Sequence, residues 1–149
     1  MNTGATQRDG TPASALAFCL QLAGARARLA GRLDDELGTF HGLGFDDFVL
    51  LHQLAAAEGG RLSAPALARA LGLLRSALAR RLLPLEKTGL VERDTGQVAL
   101  RPAGLRLLRQ ANESAEAMCH EALRTVAPDA LHGAGEVLQA LAPTHDLRS

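Results

Sequence analysis

Tryptophan and tyrosine are missing from this sequence, and four phenylalanines are its whole aromatic content. Apolar residues nevertheless make up 47% of the 149-residue chain. The core must therefore be built from Leu, Ala and Val, which favours helices over strands. Cysteine is as scarce. Cys19 and Cys119 stand a hundred residues apart, which excludes a disulfide framework and a Cys-x-x-Cys metal knuckle. No apolar run reaches membrane-spanning length, and arginines interrupt the N-terminal helical pattern. Residues 1–12 are polar, rich in Gly and Thr, and hold no signal-peptide core. They read as a disordered tail on a cytoplasmic protein with no membrane partner. The length suits one domain, or one domain with an oligomerisation element.

Catalytic signatures are also lacking. There is no nucleophile elbow, no phosphate-cradling glycine loop and no His-Glu-x-x-His zinc motif. Asp34-Asp35 and Asp46-Asp47 are adjacent in sequence, so on a helix each pair diverges instead of sharing a substrate. The expectation is a protein that is not an enzyme and needs no cofactor.

What the chain does have is sorted charge. The formal net charge is zero, yet Arg61 to Arg109 holds ten Lys/Arg against Glu86, Glu92 and Asp94, a balance of +7. The remainder carries −7. A basic face meant for a polyanion, carried on an acidic body, accounts for such sorting. A solvated helix face is the alternative reading.

Hydrophobic periodicity predicts a helix from about Ala13 to Leu37, with a wide stripe through Leu16, Leu20, Ala23, Ala27, Ala30, Leu22, Leu29, Leu33 and Leu37. Its small residues suit close helix–helix packing. Gly42-Leu43-Gly44 breaks it. A second helix is expected over Phe45 to Glu58, with Phe48, Leu51, Leu54 and Ala55 on one face. Asp46 and Asp47 lie near its positive N-terminal end. Gly59-Gly60 ends it. In "LSAPALARALGLLRSALARRLLPLEKTGLV", Ser63 is a good N-cap and Pro65 sits in the first turn. A short helix to about Leu71, a turn at Gly72 and a second helix from Leu74 or Arg75 to about Lys87 make a helix-turn-helix pattern. Leu78, Leu82 and Leu85 are placed on the anchored side of that second helix, and Pro84 is expected to kink it. "LVER" and "QVAL" flank Asp94-Thr95-Gly96, a compact hairpin signal. A long helix is expected from Pro102 to about Val126, and a last one over Asp129 to Leu141, stopped by Pro143.

This order of elements resembles the MarR-type winged-helix transcription regulators. The likeness is carried by "GLGFDDFVLLHQLA", "RLSAPALARALGLLRSALARRLLPLEKTGLVER" and "VALRPAGLRLL", and covers roughly residues 15–141. It is most specific in "LEKTGLVER", where a recognition helix ends and a wing strand starts. The resemblance implies a mainly α fold with a small β-hairpin wing. It implies one domain over residues 13–149, with dimerisation helices at 13–41 and 102–142 and a DNA-binding lobe at 45–101. It implies a homodimer that binds palindromic double-stranded operator DNA and is released by a small-molecule effector or an oxidant. Three features depart from the family. The wing is shorter, and the Asp-Arg pair at its tip is absent. Leu100-Arg101 replaces the usual Leu-Thr, and Leu74 stands where Ser or Thr often caps the recognition helix. A winged-helix-shaped dimeric interaction protein with weak or lost DNA binding is the alternative.

A helix-turn-helix puts the N-terminal half of its second helix in the major groove. Arg75 and Arg80 are then placed to fork onto guanine, Ser76 to reach base or phosphate, and Ala77 and Ala79 to touch a thymine methyl. Ser63, Arg69 and Arg81 are assigned to phosphate. Arg93 falls at the wing base, and Gln97 and Arg101 on or after the returning strand. Cys19, in "AFCLQLAG", is a redox candidate, since peroxide-sensing members of the family carry a reactive cysteine in a similar place. Those members also use tyrosines, which this chain lacks, and a small buried apolar residue is the other reading. Glu116, Cys119 and His120 share one helical face at metal-ligand spacing, and His41 or His52 would have to join them. Such a trio arises by chance on ordinary helices, so no metal is expected.

Overall fold

The computed structural model describes residues 14–142. The expected N-terminal tail and the stop at Pro143 lie outside the described residues. The first helix, α1 (Ala15–His41), begins at Ser14, whose Oγ accepts the Ala17 N–H at 3.1 Å. It runs one turn past the expected Leu37. Gly42 closes it in the left-handed conformation, its N–H donating to the Gly38 carbonyl at 3.2 Å. Helix α2 (Phe45–Ala56) is shorter than expected, because Ala57 turns extended and Glu58–Gly60 forms a single 3₁₀ turn.

Next come a short strand β1 (Arg61–Ser63), helix α3 (Ala64–Leu71) and helix α4 (Arg75–Lys87). Helix α4 continues through Pro84. The hairpin is β2 (Val91–Asp94) and β3 (Gln97–Leu100). Helix α5 (Pro102–Leu123) stops short of the expected Val126, and α6 (Pro128–Leu141) completes the described chain.

The sheet is antiparallel in the order β1-β3-β2. Sequence reading found the hairpin but not β1. Three residues carry no periodicity, and β1 exists only because Arg61, Leu62 and Ser63 pair with Ala99, Val98 and Gln97.

The core joins Leu33 and Leu37 of α1, Phe48, Leu50, Leu51 and Leu54 of α2, and Leu67 of α3. Leu43, Ala68, and Leu78, Leu82 and Leu85 of α4 complete it with Val91, Val98 and, from α5, Leu108, Ala111 and Ala115. Among the described residues no polar or charged residue is buried. The α1 stripe is only half used. Leu33 and Leu37 are buried, whereas Leu16 and Leu20 are 67% and 64% exposed. Helix α6 buries none of its residues. Among the described residues no helix is long and apolar enough to cross a membrane.

Candidate nucleic-acid interface

The site grows from a turn between two helices. Ser63 caps α3 through its Oγ, which accepts the Ala66 N–H at 3.2 Å. Gly72 ends that helix at φ +63°, a conformation that suits glycine, and reverses the chain into α4. Leu74 occupies the N-cap of α4 and supplies no side-chain hydrogen bond.

Leu78, Leu82 and Leu85 bury the inner side of α4, at 2%, 1% and 5% exposure. This fixes the outward side by helical geometry. Ser76 and Arg80, one turn apart, stand exposed there, and Arg75, three residues before Leu78, is exposed as the first residue of the helix, while Ala77 and Ala79 are half-buried between them. Arg69 is exposed in the last turn of α3.

Three other candidate arginines, Arg81, Arg93 and Arg101, are engaged within the chain. Arg81 Nη1 lies 3.4 Å from Asp46 Oδ2 and 3.8 Å from Asp47 Oδ1. The other Asp46 oxygen accepts Arg26 Nη2 at 2.7 Å, so one carboxylate links α1, α2 and α4. Burial pushes the Asp47 carboxyl above its ordinary range. Arg81 pulls against that shift, while Asp46 and Asp34 add to it. Arg93 donates from Nε and Nη2 to the two Glu86 oxygens at 2.6 and 2.7 Å. That hydrogen-bonded fork holds the Glu86 carboxyl below its ordinary range. Arg101 Nη1 donates to Glu92 at 2.7 Å. Sequence reading missed these acidic partners, because nothing in sequence spacing brings Asp46 to Arg81.

The wing is a tight hairpin. Asp94 pairs with Gln97 across a two-residue loop in which Thr95 and Gly96 have φ of +47° and +78°. The Gly96 carbonyl accepts the Ala64 N–H at 2.9 Å, tying the wing to the start of α3. Gln97 is exposed and sits opposite Ser63 in the sheet.

The expected sites therefore divide. Arg69, Arg75, Ser76 and Arg80 are exposed and form no ion pair among the described residues. Arg81, Arg93 and Arg101 are each paired to an acid. Cys19 is exposed on α1, a correction to the buried reading, because no other part of the described chain covers that end of the helix. The metal trio does not assemble. His41 bonds Ser114 at 2.9 Å and His52 bonds Asn112 at 2.6 Å. Among the described residues no group of three His, Cys, Asp or Glu can hold a metal ion.

Neither a family model nor a curated protein matches this chain. Solved structures do. A MarR family transcriptional regulator from Streptomyces coelicolor, solved in complex with DNA, superposes with a TM-score of 0.75 at 25% identity, over 85% of this chain and 84% of that one. The chain has the MarR-type winged-helix fold. BldR, a transcriptional regulator from Sulfolobus solfataricus, gives 0.72 at 25% identity, over 84% of this chain and 94% of that one. AbsC, a MarR family regulator from Streptomyces coelicolor, gives 0.74 at 25% identity, over 89% and 93%. In this MarR-type frame α4 is the recognition helix and β2–β3 is the wing.

Proposed function

We propose that this chain is a MarR-type transcription regulator, a homodimer that reads a palindromic operator by placing the N-terminal half of α4 in the major groove. The observation that carries the reading is the exposed N-terminal half of α4. Arg75, Ser76 and Arg80 are exposed there without ion-pair partners among the described residues, while three buried leucines hold the back of the helix. Two arginines and a serine can address guanine edges and phosphates at once.

Dimerisation supplies the palindrome. Leu16 and Leu20 of α1 and Leu131, Leu138 and Leu141 of α6 are large apolar side chains left exposed by this chain. A helix of 14 residues that packs none of them is marginal in water. A second copy that covers both helix ends removes both costs. Release by a small ligand belongs to the same reading. An open cavity of about 390 Å³, lined by Ala55, Gly60, Leu100, Arg101 and Leu105, gives an apolar ligand room where the sheet meets α5.

The alternative is a dimeric interaction protein of the same shape with weak or lost DNA binding. The engagement of Arg81, Arg93 and Arg101 by carboxylates of their own chain favours it. Selection of bound fragments from genomic and randomised duplex DNA, using the purified protein, separates the two. A regulator enriches an inverted repeat with half-sites about one helical turn apart, or a multiple of it. An unenriched pool leaves the interaction protein.

A further inference from the structure

The most exposed large apolar side chain of the described residues is Leu74, at 78%. The other exposed ones lie on α1, on α6, at the end of α5 and its following turn, or, for Leu83, on the far half of α4. Those of α1 and α6 belong to the surface assigned above to a second copy, and those at the end of α5 precede α6 in the chain. Leu74 is apart from them, at the N-terminal tip of the recognition helix beside Arg75 and Ser76.

Its position carries two costs. A Ser, Thr, Asp or Asn at an N-cap accepts a first-turn N–H, and Leu74 leaves α4 without that bond. Its isobutyl group also stands largely in water. An occupant from outside that relieves the exposure would be apolar and would lie at the tip of the recognition helix.

The major groove offers one apolar feature among its unmodified base edges, the C5-methyl group of thymine. We propose that Leu74 is a specificity-determining residue that packs on a thymine methyl in each half-site, next to the bases addressed by Arg75. This inference rests on the DNA-reading proposal above. It adds a larger apolar contact at the helix tip to a surface that otherwise offers the donors of Arg75, Ser76 and Arg80 and the small, half-buried Ala77 and Ala79. It also gives a reason for leucine in place of a cap.

The test isolates the methyl group. Each thymine of the selected operator is replaced in turn by deoxyuridine, which keeps every hydrogen-bonding group and loses only the methyl. At one position per half-site the wild type should lose about fourfold in affinity, the transfer value of one buried carbon. Leu74→Ala should show no thymine-over-uracil preference at that position, while Arg80→Ala should retain it. Leu74→Ser separates contact from capping. It should raise the melting temperature by restoring the cap, and still lose the methyl preference. A wild type indifferent to uracil at every position overturns the proposal, as does a Leu74→Ala protein that keeps the preference. In either case the operator itself stands. A wild type that selects no sequence at all removes the operator and the proposal together, which distinguishes the two failures.

Discussion

Arg93 of β2 clasps Glu86 of α4 on both carboxylate oxygens, so the wing base and the recognition helix are joined by a two-bond fork. The pairing sets the sign of two substitutions. Glu86→Gln releases the Arg93 guanidinium and removes a negative charge from the DNA side. It should strengthen binding to operator and scrambled duplex alike and steepen the log–log salt dependence by about one phosphate contact. Arg93→Ala should weaken both duplexes by a similar factor. Titrations at several salt concentrations check both. The Glu86 carboxyl is held below its unfolded value, so the fork stabilises above the ordinary glutamate range. Its contribution is lost as pH falls through the lowered folded value.

Arg80 should behave differently, because it is exposed one turn into α4 and carries no ion pair among the described residues. Arg80→Ala should cost about 1–3 kcal/mol on the operator and relax the preference at one base pair of each half-site. Scrambled DNA should lose much less. An equal loss on both duplexes would show that Arg80 meets phosphate only.

Thr95 is the one non-glycine residue with positive φ among the described residues, at +47°. The two-residue loop it shares with Gly96 needs positive φ at both places, and a β-branched residue suits that poorly. Thr95→Asn should raise stability by about 1 kcal/mol. Thermal unfolding measures it, and a lower melting temperature would mean that the Thr95 side chain contributes something the loop geometry does not contain.

Gly104 sits in the first turn of α5 directly beneath the Leu90 carbonyl, with Leu100 Cδ1 2.8 Å from where a Cβ would stand. That carbonyl already accepts the Arg101 N–H at 3.0 Å, so it cannot easily move. Gly104→Ala should destabilise the fold by about 3 kcal/mol, read from urea unfolding. Gly133→Ala is the control, since nothing lies within 4 Å of its added carbon.

Assembly is tested on the helices that leave leucines exposed. The wild type should sediment as twice the chain mass at micromolar concentration. Leu138→Glu, which charges a residue 49% exposed in the single chain, should shift it toward monomer and weaken operator binding with it. A wild type that sediments as a monomer would remove the palindrome from the reading.

Much of this protein is decided within short windows of its chain. Gly42 and Gly72 stop helices because they adopt the left-handed conformation freely, and Ser63 starts one because its hydroxyl reaches the Ala66 N–H. Leu78, Leu82 and Leu85 recur at helical spacing, so the exposed arginine face of α4 follows from the pattern before any fold is known. These are local relations over three or four residues, and sequence spacing states them directly. The exposure of Ser76 and Arg80 is legible for the same reason. Strand β1 is not, since three residues become a strand only when β3 offers its edge. Nor are the partners of Arg81 and Arg93, because a charge on a helix is free or spent according to which carboxylate the fold carries to it. Asp46 reaches Arg81 only through the packing of α2 and α4 into one core, and that packing separates the paired Arg81 from Arg80 beside it, which carries no ion pair among the described residues.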